Sequence, residues 1–219
     1  MRRICVITGT RAEYGLLSRL MRLIDESVDC QLQIIATNMH LLPEYGDTYQ
    51  EIESDGFTID IKVPMKKNSD DAYGVIDSMA VEMHGMNEAF RRLLPDMVVI
   101  LGDRYEMLVA ATVAMIQRIP ITHLYGGSIT EGAIDDSIRH CITKLSSLHF
   151  TSTEEFRRRV IQLGERPDRV FYVGAIGIEN LTLSKILCKW KQDSVVSFFL
   201  YLDSVFKNKH KLVHNQAPV

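Results

Sequence analysis

The run Met97-Val98-Val99-Ile100-Leu101 is apolar at every position and stops at Gly102-Asp103-Arg104. A strand with one face in water alternates polar with apolar residues. A strand with no polar position has both faces covered, as in a parallel sheet sandwiched between helices. Other short β-branched runs are expected as strands at 4–8, 32–37, 57–63, 119–124, 148–151 and 170–173. Between them lie helical patterns over 14–26, 47–54, 70–94, 105–117, 135–145 and 154–163. This βαβ repetition predicts an α/β fold built on a doubly wound, Rossmann-like parallel sheet with right-handed crossovers.

Composition removes several classes of function. The 219 residues carry 25 Lys+Arg against 28 Asp+Glu, a formal charge of −3, so no basic excess is available to neutralise nucleic-acid phosphates. The apolar stretch from Val195 to Phe206 is broken by Ser197, Asp203 and Ser204, and it falls short of the roughly 20 apolar residues a bilayer span needs. The N-terminal apolar run Ile4–Ile7 is too short for a secretory signal. Four scattered cysteines, Cys5, Cys30, Cys141 and Cys188, form no C-x-x-C pair. Together these features predict a cytoplasmic protein with reduced thiols, no metal site and neither nucleic acid nor membrane as partner.

The composition changes near Lys185. From Ile186 to Val219 there is no Gly and no Glu, and Trp190 is the only tryptophan of the chain. The expected division is a Rossmann-like domain over 1–185 and a divergent tail over 186–219.

In an open parallel sheet, ligands bind outside the carboxyl ends of the strands. The residues that follow the expected strands are Thr8-Gly9-Thr10-Arg11-Ala12-Glu13, Asn38-Met39-His40, Gly102-Asp103-Arg104, Tyr125-Gly126-Gly127-Ser128, Thr151-Ser152-Thr153 and Gly174-Ala175. Small, polar and charged residues therefore gather at one edge. The first loop lacks both the G-x-G-x-x-G and the G-x-x-x-x-G-K-[ST] spacing, which disfavours a dinucleotide or a Walker-type site. Gly9, the N-terminus of the next helix and the forked donor of Arg11 still suit a diphosphate.

Asp103, directly after an apolar strand, suits general acid/base work or the N-cap of the helix from Tyr105, and the two roles can coexist. The stretch Gly126 to His140 combines glycines expected to form a mobile loop with Asp135 and Arg139 four apart on one helical face. Asp136 reads as an ordinary acidic helix start, and His84 and His149 as core or surface histidines.

These motifs, with Tyr45-Gly46-Asp47-Thr48-Tyr49 and above all Gly132-Ala133-Ile134-Asp135-Asp136-Ser137-Ile138-Arg139-His140, resemble the hydrolysing UDP-N-acetylglucosamine 2-epimerases of the sialic-acid branch. The resemblance runs from Ile4 to about Leu181. It implies the first domain of a GT-B-type two-domain fold, and hence a truncated chain that is weakly active or inactive by itself. It also implies conversion of UDP-N-acetylglucosamine and water to N-acetylmannosamine and UDP, with no cofactor. UDP would leave C1 as the C2 proton is removed, and water would add to the resulting glucal.

Carried over by position, Asp103 and Asp135 would be the catalytic carboxylates, and Arg11, His40 and Arg139 would bind substrate. Tyr125 and Ser128 stand where relatives often carry Glu, which makes Glu131 the candidate third carboxylate. Two further readings compete with this one. The first is a non-catalytic module that forms a homo-oligomer or binds a full-length homologue. The second is a small glycosyltransferase on the same fold.

Overall fold

The computed structural model describes residues 1–65, 69, 71–131 and 134–176. The chain divides after Asn180 into two units, and the described residues all lie in the first, Met1–Asn180. The expected tail over 186–219 falls outside them.

Seven parallel strands form one sheet: β1 (Arg2–Thr8), β2 (Cys30–Thr37), β3 (Ile61–Val63), β4 (Met97–Leu101), β5 (Ile121–Leu124), β6 (Leu148–Thr151) and β7 (Val170–Tyr172). Their order is β3-β2-β1-β4-β5-β6-β7. Among the described residues, six α-helices connect them: α1 (Arg11–Asp25), α2 (Tyr49–Ser54), α3 (Ala72–Leu93), α4 (Tyr105–Ile116), α5 (Asp135–Leu145) and α6 (Glu154–Gln162). The order reverses between β1 and β4, so the carboxyl ends of those two strands flank the crevice where such sheets bind ligands.

Every residue of β4 is buried, as its unbroken apolar run requires. Its neighbour α4 buries Met107, Val109, Ala110, Ala111, Val113 and Ala114, and the alanines let the helix lie close to the sheet. Helix α1 shows the opposite pattern, with one buried stripe of Tyr14, Leu17, Met21 and Ile24 at helical spacing.

Two boundaries differ from the sequence reading, each for a local reason. Helix α1 begins at Arg11, three residues before Tyr14, because Thr10 caps it: the Thr10 hydroxyl accepts the Glu13 N–H at 3.2 Å. Strand β3 is confined to Ile61–Val63, although the pattern suggested 57–63. Gly56 (φ +88) turns the chain, and the Asp60 carboxylate accepts the Ile34 N–H at 2.7 Å while the Asp60 N–H donates to the Ile34 carbonyl at 3.0 Å, so a side chain supplies half of the pairing there.

Leu94 ends α3 in the left-handed region (φ 49) with its side chain 58% exposed. An L side chain with a Cβ is strained there and glycine is not. Leu94→Gly is expected to raise stability by about 0.5–1 kcal/mol, seen as a higher denaturant midpoint at unchanged slope.

Candidate functional site

The centre of the site is Arg139 on α5. Its side chain is 3% exposed. Nη1 donates to the Ser128 carbonyl at 2.7 Å and to Asp136 Oδ1 at 2.8 Å. Nη2 donates to the Thr130 hydroxyl at 2.7 Å and to Asp103 Oδ2 in a short contact. One guanidinium therefore joins the β4–α4 loop, the β5–α5 loop and the first turn of α5. A planar fork with several fixed donors can do this where a lysine cannot.

Asp103 stays half-buried, with its side chain 26% exposed at the sheet edge. It is not a helix cap: Arg104 occupies the N-cap position of α4, with no side-chain capping bond. The N-cap reading of Asp103 is therefore not realised.

Several sequence expectations are corrected here. Arg139 is expected to hold substrate or to orient the carboxylates; all four of its Nη hydrogen bonds go to this protein, to Asp103, Asp136 and the Ser128–Thr130 segment, while its buried Nε has no partner among the described residues. Its partner on α5 is Asp136, three residues away, rather than Asp135. Asp136, read as a plain helix start, is thus part of the cluster. Asp135 lies half-buried at the first position of α5, and Glu131 is exposed on the preceding loop.

Arg11 does not join this group. Its side chain is 73% exposed and pairs with Glu51 of α2 at 2.9 Å. Of the three glycines expected to form a mobile loop, Gly132 lies outside the described residues and the other two are packed: Gly127 has φ +83, and a Cβ there would meet the Phe156 carbonyl at 2.3 Å. A Cβ on Gly126 would crowd the His123 ring at 3.1 Å. Tyr125 before them also adopts a left-handed conformation (φ 67), an unusual state for a bulky residue.

His40 is fully buried, and both ring nitrogens are engaged. Nε2 pairs with the Thr8 hydroxyl at 2.9 Å and Nδ1 with the Thr48 hydroxyl at 2.8 Å. This leaves it no nitrogen for substrate, contrary to the sequence reading. It ties the ends of β1 and β2 to the start of α2.

His123 on β5 is similarly enclosed, with Nε2 at 2.8 Å from the Gly102 carbonyl beside Asp103. Burial holds His40 down at about 4, against the pull of its hydrogen-bond acceptors, and His123 down at about 3. A histidine held neutral in the fold contributes fully above its unfolded value of about 6.5 and loses that contribution as pH falls through its folded value. Melting temperature is therefore expected to drop from pH 6.5 towards pH 4, and His40→Gln is expected to flatten part of that drop.

The β1–α1 loop also departs from expectation. Glu13 Oε2 accepts the Gly9 N–H at 2.7 Å and the Thr10 N–H at 3.1 Å, so these donors are already bound to a carboxyl group of the protein itself. Burial and the nearby Glu106 charge raise Glu13 to about 7, despite these bonds and Arg104. Glu106 is fully buried, and its Oε1 accepts from Arg104 Nε at 2.5 Å. Glu82 of α3 is equally buried; it accepts from the Thr37 hydroxyl at 3.2 Å, and burial followed by the Glu106 charge raises it to about 9.

The sequence reading missed this group of three carboxylates, in which Glu13 and Glu82 both feel the charge of Glu106. The Thr10-x-x-Glu13 spacing, a capping-box signature, would have flagged Glu13. Glu82 and Glu106 give no comparable signal, since each looks like a surface glutamate on a helix. Among the described residues, no three His, Cys, Asp or Glu side chains converge to hold a metal ion. No described helix is long and apolar enough to cross a membrane.

The family model for UDP-N-acetylglucosamine 2-epimerase matches residues 22–200, which carries the match past Lys185. The chain is 50% identical over 175 residues to the GDP/UDP-N,N'-diacetylbacillosamine 2-epimerase (hydrolyzing) of Campylobacter jejuni, covering 80% of this chain and 45% of that protein. It is 42% identical over 180 residues to the polysialic acid biosynthesis protein P7 of Escherichia coli, covering 82% and 46%. The chain thus spans about half the length of the curated relatives it matches. Its fold matches the crystal structure of the Neisseria meningitidis UDP-GlcNAc 2-epimerase bound to UDP-GlcNAc, with a TM-score of 0.73 at 18% identity over 94% of this chain and 53% of that one. The likeness to that structure extends the GT-B-type, Rossmann-like assignment of the sheet. With the family model covering most of its length, the chain belongs to the UDP-N-acetylglucosamine 2-epimerase family.

Proposed function

We propose that the chain supplies one wall of a hydrolysing UDP-sugar 2-epimerase site, acting on UDP-N-acetylglucosamine to give N-acetylmannosamine and UDP. The observation that carries this is the Arg139 clamp, which fixes the Asp103 carboxylate at the crevice between β1 and β4. In the first step the C1–O bond to UDP breaks with its electron pair on the leaving diphosphate, and the C2 proton passes to a carboxylate. Water then adds across the resulting double bond, so that oxygen joins C1 and a proton returns to C2 on the opposite face.

Asp103 and Asp135 are the proposed carboxylates for these proton transfers, with Glu131 as the loop-borne third. Arg139 acts through Asp103 by holding its geometry. Arg11 would reach a diphosphate by exchanging its exposed pairing with Glu51, which is worth little in water. The free thiols Cys5, Cys30 and Cys141 support a reducing, cytoplasmic setting.

A second substrate reading has its own support. The 50% identical relative is named for a UDP-linked sugar with two acetamido groups. The test is a chimera in which residues 1–176 replace the matching part of that Campylobacter protein, given each UDP-sugar in turn. Release of UDP with the free 2-epimer is expected, and Asp103→Asn in the chimera should cut turnover to about a hundredth or less. An inert chimera beside an active, intact Campylobacter enzyme would overturn the reading.

A further inference from the structure

A small cavity lies at the same edge of the sheet, on the β2 side of the crevice. Asn38, Met39, Leu42, Tyr45, Met65, Ser78 and Tyr105 line it, and its volume is about 70 Å³. That is well below the several hundred Å³ a whole drug-sized ligand fills, but it has room for a substituent of a few heavy atoms. Tyr105 opens α4 two residues after Asp103, so the cavity and the proposed carboxylate share one loop.

Two observations on Asn38 point to a ligand. Its side chain is 5% exposed, and its amide nitrogen makes no hydrogen bond of full geometry, only a looser contact with the neighbouring Tyr105 hydroxyl, a costly state for a buried donor. It also sits in the left-handed region (φ 48) directly after β2, a conformation asparagine tolerates better than most residues. Backbone strain and a poorly met donor thus coincide at one residue of the lining.

The walls narrow the chemistry. Met39, Leu42 and Met65 are apolar, and no Lys, Arg or His lines the cavity to balance a phosphate or carboxylate. A bare hydroxyl would leave those apolar walls without contacts. An acetamido group meets both demands, since its carbonyl oxygen can accept from an amide N–H while its methyl packs on thioether and leucine side chains.

We propose that this cavity is the subsite for an acetamido substituent of the sugar, with Asn38 as its hydrogen-bond donor. The inference rests on the proposed UDP-sugar substrate and adds a specificity-determining residue to it. Two positions on the sugar could supply the group: C2, as in UDP-N-acetylglucosamine, or C4, as in UDP-N,N'-diacetylbacillosamine.

The test uses the ¹⁵N-labelled full chain. The Asn38 side-chain amide is identified by its loss in Asn38→Gly, which keeps a residue at ease with positive φ. UDP, UDP-glucose, UDP-N-acetylglucosamine and UDP-N,N'-diacetylbacillosamine are then titrated in turn. A saturable shift of that amide with UDP-N-acetylglucosamine but not UDP-glucose assigns the C2 group, and a shift with the diacetamido sugar alone assigns the C4 group. In either case Asn38→Gly should weaken binding of the acetamido sugar about tenfold and leave UDP affinity unchanged. If the Asp103 and Arg139 signals move while the Asn38 amide stays still with every sugar, the subsite is overturned and the epimerase reading stands. If no signal moves with any nucleotide, the subsite falls, and the chimera alone decides the epimerase reading.

Discussion

Arg139→Leu is expected to cost about 3 kcal/mol of folding stability, the low end of what is lost when one partner of a buried ion pair is removed. The low end applies because Asp103 and Asp136 are 26% and 31% exposed, so water can reach both carboxylates once the guanidinium is gone. The Ser128 carbonyl and the Thr130 hydroxyl lose their donors in the same substitution. Urea unfolding of the two proteins measures the difference. Arg139→Lys should recover less than half of it, since an ammonium cannot span four acceptors on two loops and a helix. A loss below 1 kcal/mol for Arg139→Leu would mean that the clamp does not organise the site.

The second large effect is on pH dependence. Glu82 is held at about 9 and Glu13 at about 7, both chiefly by burial and then by the Glu106 charge. The unfolded chain releases these protons near the usual glutamate value of about 4.3, whereas the folded chain keeps them longer. Their contribution to stability is therefore present in full below that value and is lost as pH rises through 7 and on towards 9. The buried histidines produce the opposite slope on the acid side, so maximal stability is expected at about pH 5–6.

Glu82→Gln removes the largest of these titrations while keeping the side-chain shape. It should stabilise the protein by about 5 kcal/mol at pH 8 and change little at pH 4.5. Thermal melts of both proteins across that range decide it. Parallel curves would show that Glu82 does not titrate differently in the fold.

Much of the scaffold was legible from the order of residues alone. The bounds of β4, β6 and α5 match the expected ones because each has a local signal: an unbroken apolar run, a short segment with Leu148 and Phe150 before Ser-Thr, and paired aspartates opening an amphipathic stripe. Strand β3 was overdrawn because a buried Phe57, packed under the Arg22 guanidinium at 4.1 Å, looks like strand although it closes a helix.

The site was legible only in outline. Asp103 and Arg139 were both singled out, but their contact spans 36 positions, and no local periodicity encodes such a pairing. Roles depend on which atoms remain free, and that is set by packing. The buried ring of His40 and the committed donors of Arg139 turned expected ligand contacts into internal supports.

The bond from Glu13 back to its own loop has a wider implication. A helix start that holds its own carboxylate resembles a docking berth that is already taken, so inorganic phosphate or sulfate in a cell or buffer gains no foothold there. A nucleotide in the proposed site would then be gripped from the rim, by side chains able to swing.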